Sequence, residues 1–411
     1  MLKSILKIDS FLRTFIKNNY SIVVICLLLA LICISPYIYP TVIIEGNENM
    51  DLFKKKYSEM SQSGHPNANT MGLTQKQFDK LFLRDFYIKS SYNSCAVDKN
   101  SRILDVDAIP ILATQGVRYF DFQIFSIADE NDPNKTVKPF VAINKTGNSS
   151  SITSDNQVLL EDVLAKIKKF AFSTASAPNY KDPIFINLRM CTSIRETYDK
   201  VADLLKSKLG LRNKRNKDTN VGNLLYKKVH NASEDQRTFV FIESVLSKKD
   251  LEKTMYDESD LKLINNVYLV GTETLVNIDY EKVTKNDMLD NKASRITIAS
   301  PPLVNKSEKI TNVSFPTPYD CGNKTPCYPK PMKYGCQFMP MCYNSELDNN
   351  SGSSIISYNI MFDTLKSGMI VKEPDLRYIP QEIPILDTSK MKTNDSVNSQ
   401  MDNAISQSMA I

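Results

Sequence analysis

Histidine is nearly absent from this chain: its 411 residues include only His65 and His230. His65 lies in a polar stretch ahead of the first strand-like run. His230 follows the helix-like segment VGNLLYKKVH. Neither stands at the end of a strand, so a histidine base at a strand end is excluded and both rings are expected at the surface. Net positive charge is scarce as well. Of the net +5, most sits in the first twenty residues, where Lys3, Lys7, Arg13 and Lys17 face only Asp9, and the remainder carries +2. That is too little for a nucleic-acid surface. The short run Arg212, Lys214, Arg215 and Lys217 reads as a solvated loop. Residues 387–411 lack aromatics and periodicity, which excludes a packed core there and reads as a disordered tail.

One long uncharged run is present. Ser21 to Ile44 holds no charge over 24 positions, more than the ~20 residues a membrane-crossing helix needs. Pro36 and Pro40 disturb its far end, so the helical part is expected over about Tyr20–Tyr39. It lacks a small-x-small cleavage site, which predicts a retained signal anchor in the lipid bilayer. The basic flank then places residues 1–20 in the cytosol and the large domain outside it: luminal, extracellular or on a virion. Residues 45–72 read as a juxtamembrane linker, with a short helix at Met50–Ser61. Outside the anchor six cysteines remain, and Cys321, Cys327, Cys336 and Cys342 form two Cys-x5-Cys pairs. An even number in an extracytosolic domain fits disulfides. The spacing is wider than a zinc knuckle, and free buried thiols are the other alternative. Asn-x-Ser/Thr sequons such as Asn134, Asn231, Asn305, Asn312 and Asn323 permit glycosylation without showing it.

From about Leu73 to Leu386, apolar strand-like runs alternate with helical patterns. The strands are expected at Phe86–Ser90, Val117–Ile124, Pro139–Asn144, Pro183–Leu188, Thr238–Glu243, Arg295–Ala299, Gln337–Tyr343 and Gly368–Val371. Helices are expected at Asp105–Thr114, Asn156–Phe172, Arg195–Leu209 and Ile355–Leu365. Strands apolar on both faces and separated by helices predict an α/β fold with a closed parallel (β/α)8 barrel of the TIM type. A rim insertion is expected over 250–294, carrying a strand pair at Asn266–Val270 and Thr274–Ile278.

Several runs resemble phosphatidylinositol-specific phospholipase C. Ile88-Lys89-Ser90-Ser91-Tyr92-Asn93 resembles that family's first strand end, which reads Ser-Ser-His-Asn. Gly116-Val117-Arg118-Tyr119-Phe120-Asp121-Phe122-Gln123 resembles its second strand, Gly-x-Arg-x-Val-Glu-Leu-Asp. Lys138 to Asn144 followed by Ser151-Ile152-Thr153 resembles the third, and Asp182-Pro183-Ile184-Phe185-Ile186-Asn187-Leu188-Arg189 the fourth. Ser367 to Tyr378 resembles the late Gly-Tyr-Val-Leu-Lys-Pro-x-x-Leu-Arg segment. The likeness is good over 82–205, loose over 295–380, and slight between.

The resemblance implies two catalytic histidines at strand ends and, in the eukaryotic branch, calcium held by Asn, Glu, Asp and Glu. The first histidine position holds Tyr92, and the second falls at Ile143 or Asn144. Of the calcium positions Asn93 is kept, Asp121 is conservative, Gln123 is uncharged and Arg189 reverses the sign. A guanidinium there should repel Ca²⁺ and is expected to pair with Asp121, so no cofactor is expected. Tyr92, Asn93, Asp121, Gln123 and Arg189 would line a pocket for a phosphate or head group. With the base missing, the expectation is a catalytically inactive relative: a binding or structural module for a phosphorylated head group, a glycan or a protein. The alternative is a metal-independent phosphodiesterase in which Arg189 serves the phosphate and Tyr92 donates a proton.

Overall fold

The computed structural model describes residues 40–58, 64–128, 137–144, 152–212, 221–244, 256–263, 267–269, 277–279, 313–315, 332, 337–344 and 354–377. Residues 379–411 form a separate unit and, like 1–39, lie outside the described residues.

The elements in chain order are α1 (Pro40–Lys56), α2 (Gln75–Phe78), β1 (Phe86–Ile88), α3 (Ala108–Thr114), β2 (Tyr119–Ala128), β3 (Val137–Val141), β4 (Val158–Leu159), α4 (Leu160–Ala171), β5 (Ile184–Met190), α5 (Arg195–Leu209), α6 (Tyr226–His230), β6 (Thr238–Ser244), β7 (Val267–Leu269), β8 (Asn277–Asp279), β9 (Val313–Phe315), α7 (Ser354–Thr364) and β10 (Met369–Val371). The main sheet has six strands in the order β4-β3-β2-β5-β6-β7. β2, β5, β6 and β7 run parallel.

Helix positions follow the sequence periodicity. In α4, Leu160, Val163, Leu164, Ile167 and Ala171 are buried, a stripe of three and four steps. In α5, Tyr198, Val201, Ala202, Leu205 and Leu209 do the same, and the helix stops at Gly210 in the left-handed region (φ 72°). These stripes join Phe120, Phe122, Ile124, Ile184, Ile186, Leu188, Met190, Val240 and Ile242, one face of β2, β5 and β6, in the main core. The opposite face begins with Tyr119, Phe185, Phe239 and Phe241, packed around Phe338 in a second apolar cluster.

The closed eight-stranded parallel barrel is not found among the described residues. β3 pairs antiparallel with β2, from Ile124↔Val141 to Ala128↔Val137. β2 is ten residues long, and its first part faces β5 from Tyr119↔Phe185 to Ile124↔Met190. The edge away from β5 is shared end to end: Ser90 bridges Tyr119 near the start, and β3 takes the far half. β10 is likewise antiparallel to β1. The segment expected as a strand at 337–343 makes single parallel bridges, Ile88↔Phe338 and Ser91↔Met341. The runs expected as a rim strand pair do not pair with each other: β7 extends the main sheet beside β6, and β8 pairs with β9. The expected strand Arg295–Ala299 lies outside the described residues.

The N-terminal expectations need correction. Pro40 opens α1 rather than closing a span, a position where its missing N–H loses nothing. The helix then runs through Glu45, Glu48 and Asp51 to Lys54-Lys55-Lys56. Among the described residues no helix is long and apolar enough to cross a membrane. The single-pass, extracytosolic assignment is withdrawn on that finding; most of the expected 21–44 span lies outside the described residues. Part of the expected linker is core: Met50, Phe53 and Tyr57 are buried, and the Tyr57 hydroxyl donates to the Tyr343 carbonyl at 2.7 Å.

Candidate functional site

Period-two alternation carries the inner face of the sheet from aromatic to polar residues as the parallel strands approach their C-terminal ends. On β2, Tyr119 is followed on the same face by Asp121 and Gln123. On β5, Phe185 is followed by Asn187 and Arg189. On β6, Phe241 is followed by Glu243. The register places Asp121 beside Asn187 and Gln123 beside Arg189, with Arg189 also beside Glu243. Tyr92 and Asn93 arrive from the loop after β1. That loop is tied down by the Tyr92 N–H donating to the Met341 carbonyl and the Ser94 N–H donating to the Asp121 carbonyl, both at 2.9 Å.

Arg189 is the hub. Its Nε donates to Asp121 Oδ1 at 3.0 Å, and its Nη2 donates to Asp121 Oδ2 at 2.7 Å, a bidentate pair. Nη2 also donates to Asn93 Oδ1 at 2.6 Å, and Nη1 donates to the Tyr92 hydroxyl at 3.0 Å. The guanidinium lies over the Tyr92 ring, 4.5 Å from its centroid. Asp121 receives two more bonds, from Asn187 Nδ2 at 2.9 Å and from the Asn93 N–H at 3.1 Å. Each carboxylate oxygen therefore accepts two hydrogen bonds, the full capacity of the group. Asn93 reaches its carboxylate by adopting a left-handed backbone (φ 44°), which asparagine tolerates better than most residues.

Gln123 extends the network. Its Oε1 accepts from the Asn144 N–H at 2.9 Å. Its Nε2 lies 3.4 Å from Asn93 Oδ1 and 3.4 Å from the Asn144 carbonyl. All five pocket residues expected from sequence, together with Asn144, thus fall in one hydrogen-bonded set. Sequence reasoning missed Asn187 and Glu243, although two steps back along β5 and one strand across from Arg189 would have reached both. Asn187 Nδ2 bridges the two acids, lying 3.2 Å from Glu243 Oε2.

The electrostatics favour a fixed cation and a neutral phenol. Burial alone would lower the Arg189 pKa, but the nearby charge of Asp121, with Tyr92 and Glu243, outweighs it and raises the pKa. Burial pushes the Tyr92 phenol up to about 12, the attraction of Arg189 only partly offsetting it. A phenol in that state is a poor base near neutrality.

Calcium does not fit this arrangement. Arg189 Nη2 lies 2.6 Å from Asn93 Oδ1 and 2.7 Å from Asp121 Oδ2, the position a cation would need at 2.3–2.6 Å, with ~6–8 oxygen ligands in all. Asp121 has no lone pair to offer it. A cavity of about 860 Å³ lies elsewhere, lined in part by Phe53, Lys56, Lys99, Arg102 and Asp155, and none of Tyr92, Asn93, Asp121 and Arg189 lines it.

Of the cysteines, Cys95 and Cys191 are buried free thiols, and burial pushes the Cys95 thiol up, away from reactivity. Cys342 is disulfide-bonded. Cys321, Cys327 and Cys336 lie outside the described residues, so the expected pairing among these four is not described. The surface expectation for the two histidines is corrected: His65 and His230 are partly buried against the fully buried Asp182, with side-chain exposures of 26% and 21%.

No family model matches the chain, and no curated protein does. Solved structures similar to it include phospholipases C. PLC21 of L. pealei aligns with 14% identity and a TM-score of 0.45, covering 73% of this chain and 38% of the other. PLC21 of S. officinalis aligns with 13% identity and a TM-score of 0.46, over the same shares. The chain therefore spans well under half of those two proteins. A calcium-dependent phosphoinositol-specific phospholipase C from a Gram-negative bacterium, Pseudomonas sp., aligns with 9% identity and a TM-score of 0.34, covering 67% of this chain and 95% of the other.

Proposed function

We propose that this chain is a phospholipase C-like protein that does not cleave phosphodiesters and works as a binding or structural module, recognising a phosphorylated head group, a glycan or a protein partner. The bidentate pair of Arg189 with Asp121 carries this reading. Phosphodiester cleavage by a neighbouring hydroxyl needs a base, an acid for the leaving alcohol and positive charge for the phosphoryl oxygens. Here the positive charge is held by the chain's own carboxylate. Four of the guanidinium's five N–H groups already donate, to Asp121 twice, Asn93 and Tyr92. The residue at the base position is a phenol raised to about 12.

The test is turnover of phosphatidylinositol and of glycerophosphodiesters by the full-length protein, with and without Ca²⁺. No turnover above background is expected. Turnover that disappears in Arg189→Ala and in Tyr92→Phe would overturn the proposal and establish a metal-independent phosphodiesterase.

A further inference from the structure

The chain's only two histidines meet on one buried carboxylate at the end of β5 opposite Arg189. His65 precedes the first strand, Asp182 lies two residues before β5, and His230 ends α6. His65 Nδ1 is 3.1 Å from Asp182 Oδ1, and His230 Nδ1 is 3.4 Å from the same oxygen. Each of the three side chains offers one donor atom, and these atoms all lie within 4.8 Å of one another. The rings stand edge to face, with centroids 4.9 Å apart.

We propose that His65, Asp182 and His230 form a divalent-metal site of the zinc class. Donor atoms held tetrahedrally at ~2.0–2.1 Å from zinc stand about 3.3 Å from one another, close to the two ring-to-carboxylate spacings, while the two rings' donor atoms lie within 4.8 Å of each other. Two imidazoles and one carboxylate suit zinc, whereas calcium and magnesium need mostly oxygen. An independent observation points to a missing ligand. Asp182 Oδ2 is buried and has no hydrogen-bond partner, while His65, His230 and the Tyr226 hydroxyl (2.7 Å) all crowd Oδ1. Hydrogen bonds alone, including that of the Tyr226 hydroxyl with His230 Nδ1 at 2.9 Å, leave that oxygen unmet, at a real desolvation cost; a metal held by both rings and by the carboxylate through both of its oxygens would use it. Tyr226 keeps its bond to Asp182 as the outer partner that orients the ligand.

The site is structural rather than catalytic. Asp182 and Arg189 are seven residues apart along an extended segment, about 23 Å. The metal would tie the segment before the first strand, through His65, to α6 and the start of β5. That segment is also held by the Gly64↔Ser367 bridge.

The experiment uses the full chain, stripped with a chelator and titrated with Zn²⁺ by calorimetry and thermal unfolding. One zinc per chain and a Tm raised by several degrees are expected. Losing an outer partner alone typically costs about 10–100-fold in affinity, so His65→Gln and His230→Gln should each weaken binding at least about tenfold. Absence of saturable binding, or equal binding in both variants, overturns the proposal. Should the variants fail to fold, zinc-edge X-ray absorption of the loaded wild type reads the ligands directly: two imidazoles support the site, and sulfur ligands overturn it.

Discussion

Asp121 and Asp182 are both fully buried carboxylates near opposite ends of the same strand system, and they are satisfied to different degrees. Asp121 accepts four hydrogen bonds, two from a guanidinium, one from a side-chain amide and one from the backbone. Asp182 has three groups within hydrogen-bond reach of one oxygen and no hydrogen-bond partner on the other. A saturated carboxylate leaves a ligand nothing to bind, while a half-met one is open to a ligand. The end of the sheet where the family resemblance implies chemistry is therefore the closed one, and the end where it implies nothing is the open one.

The largest effect is expected at Arg189. Arg189→Met leaves Asp121 as an uncompensated buried charge and should cost about 3–5 kcal/mol in denaturant unfolding. Combined with Asp121→Asn in a double-mutant cycle, it should show a coupling of about 1–3 kcal/mol. A coupling near zero would break the contrast with Asp182.

Lys89 offers an intermediate case, a fully buried cation whose acidic partner, Asp363, is 3.4 Å away. Burial lowers its pKa from 10.5 to about 8, Asp363 only partly opposing this. Between those values the unfolded chain holds a proton that the folded chain has released, so stability rises with pH. From pH 8 to 10 the gain should be roughly 2 kcal/mol, and Lys89→Met should flatten it. A pH-independent difference between the two proteins would show that Lys89 is as well satisfied as Arg189.

Tyr92→Phe keeps the ring under the guanidinium but removes one bond to a buried charge, an expected loss of about 1.5–3 kcal/mol. The smallest effect is expected at the other end: His65→Gln in metal-free protein should cost less than about 1 kcal/mol, because the ring is partly exposed and Asp182 retains Tyr226 and His230.

Much of this was legible in the sequence where the signal is local. The three-and-four spacing of α4 and α5 and the apolar runs of β2 and β5 located those elements, and the resemblance to the family's strands, not any periodicity, grouped Asp121, Gln123 and Arg189. The reversal of charge at Arg189 was readable as a pairing with Asp121. Strand direction was not readable, because a period of two is the same in parallel and antiparallel pairs. β3 and β10 were therefore expected to run with the barrel. The uncharged run Ser21–Ile44 was read as one span disturbed by Pro40, whereas Pro40 opens α1, which continues through Glu45, Glu48 and Asp51. The histidine cluster joins residues 117 positions apart, His65 and Asp182, and no local pattern announces such a meeting.

The most direct test of the central claim is a crystal structure of the protein grown with excess Ca²⁺. The account predicts Arg189 still bidentate on Asp121, with its Nη2 between Asp121 and Asn93. Calcium bound by Asn93 and Asp121, with Arg189 turned away, would contradict it.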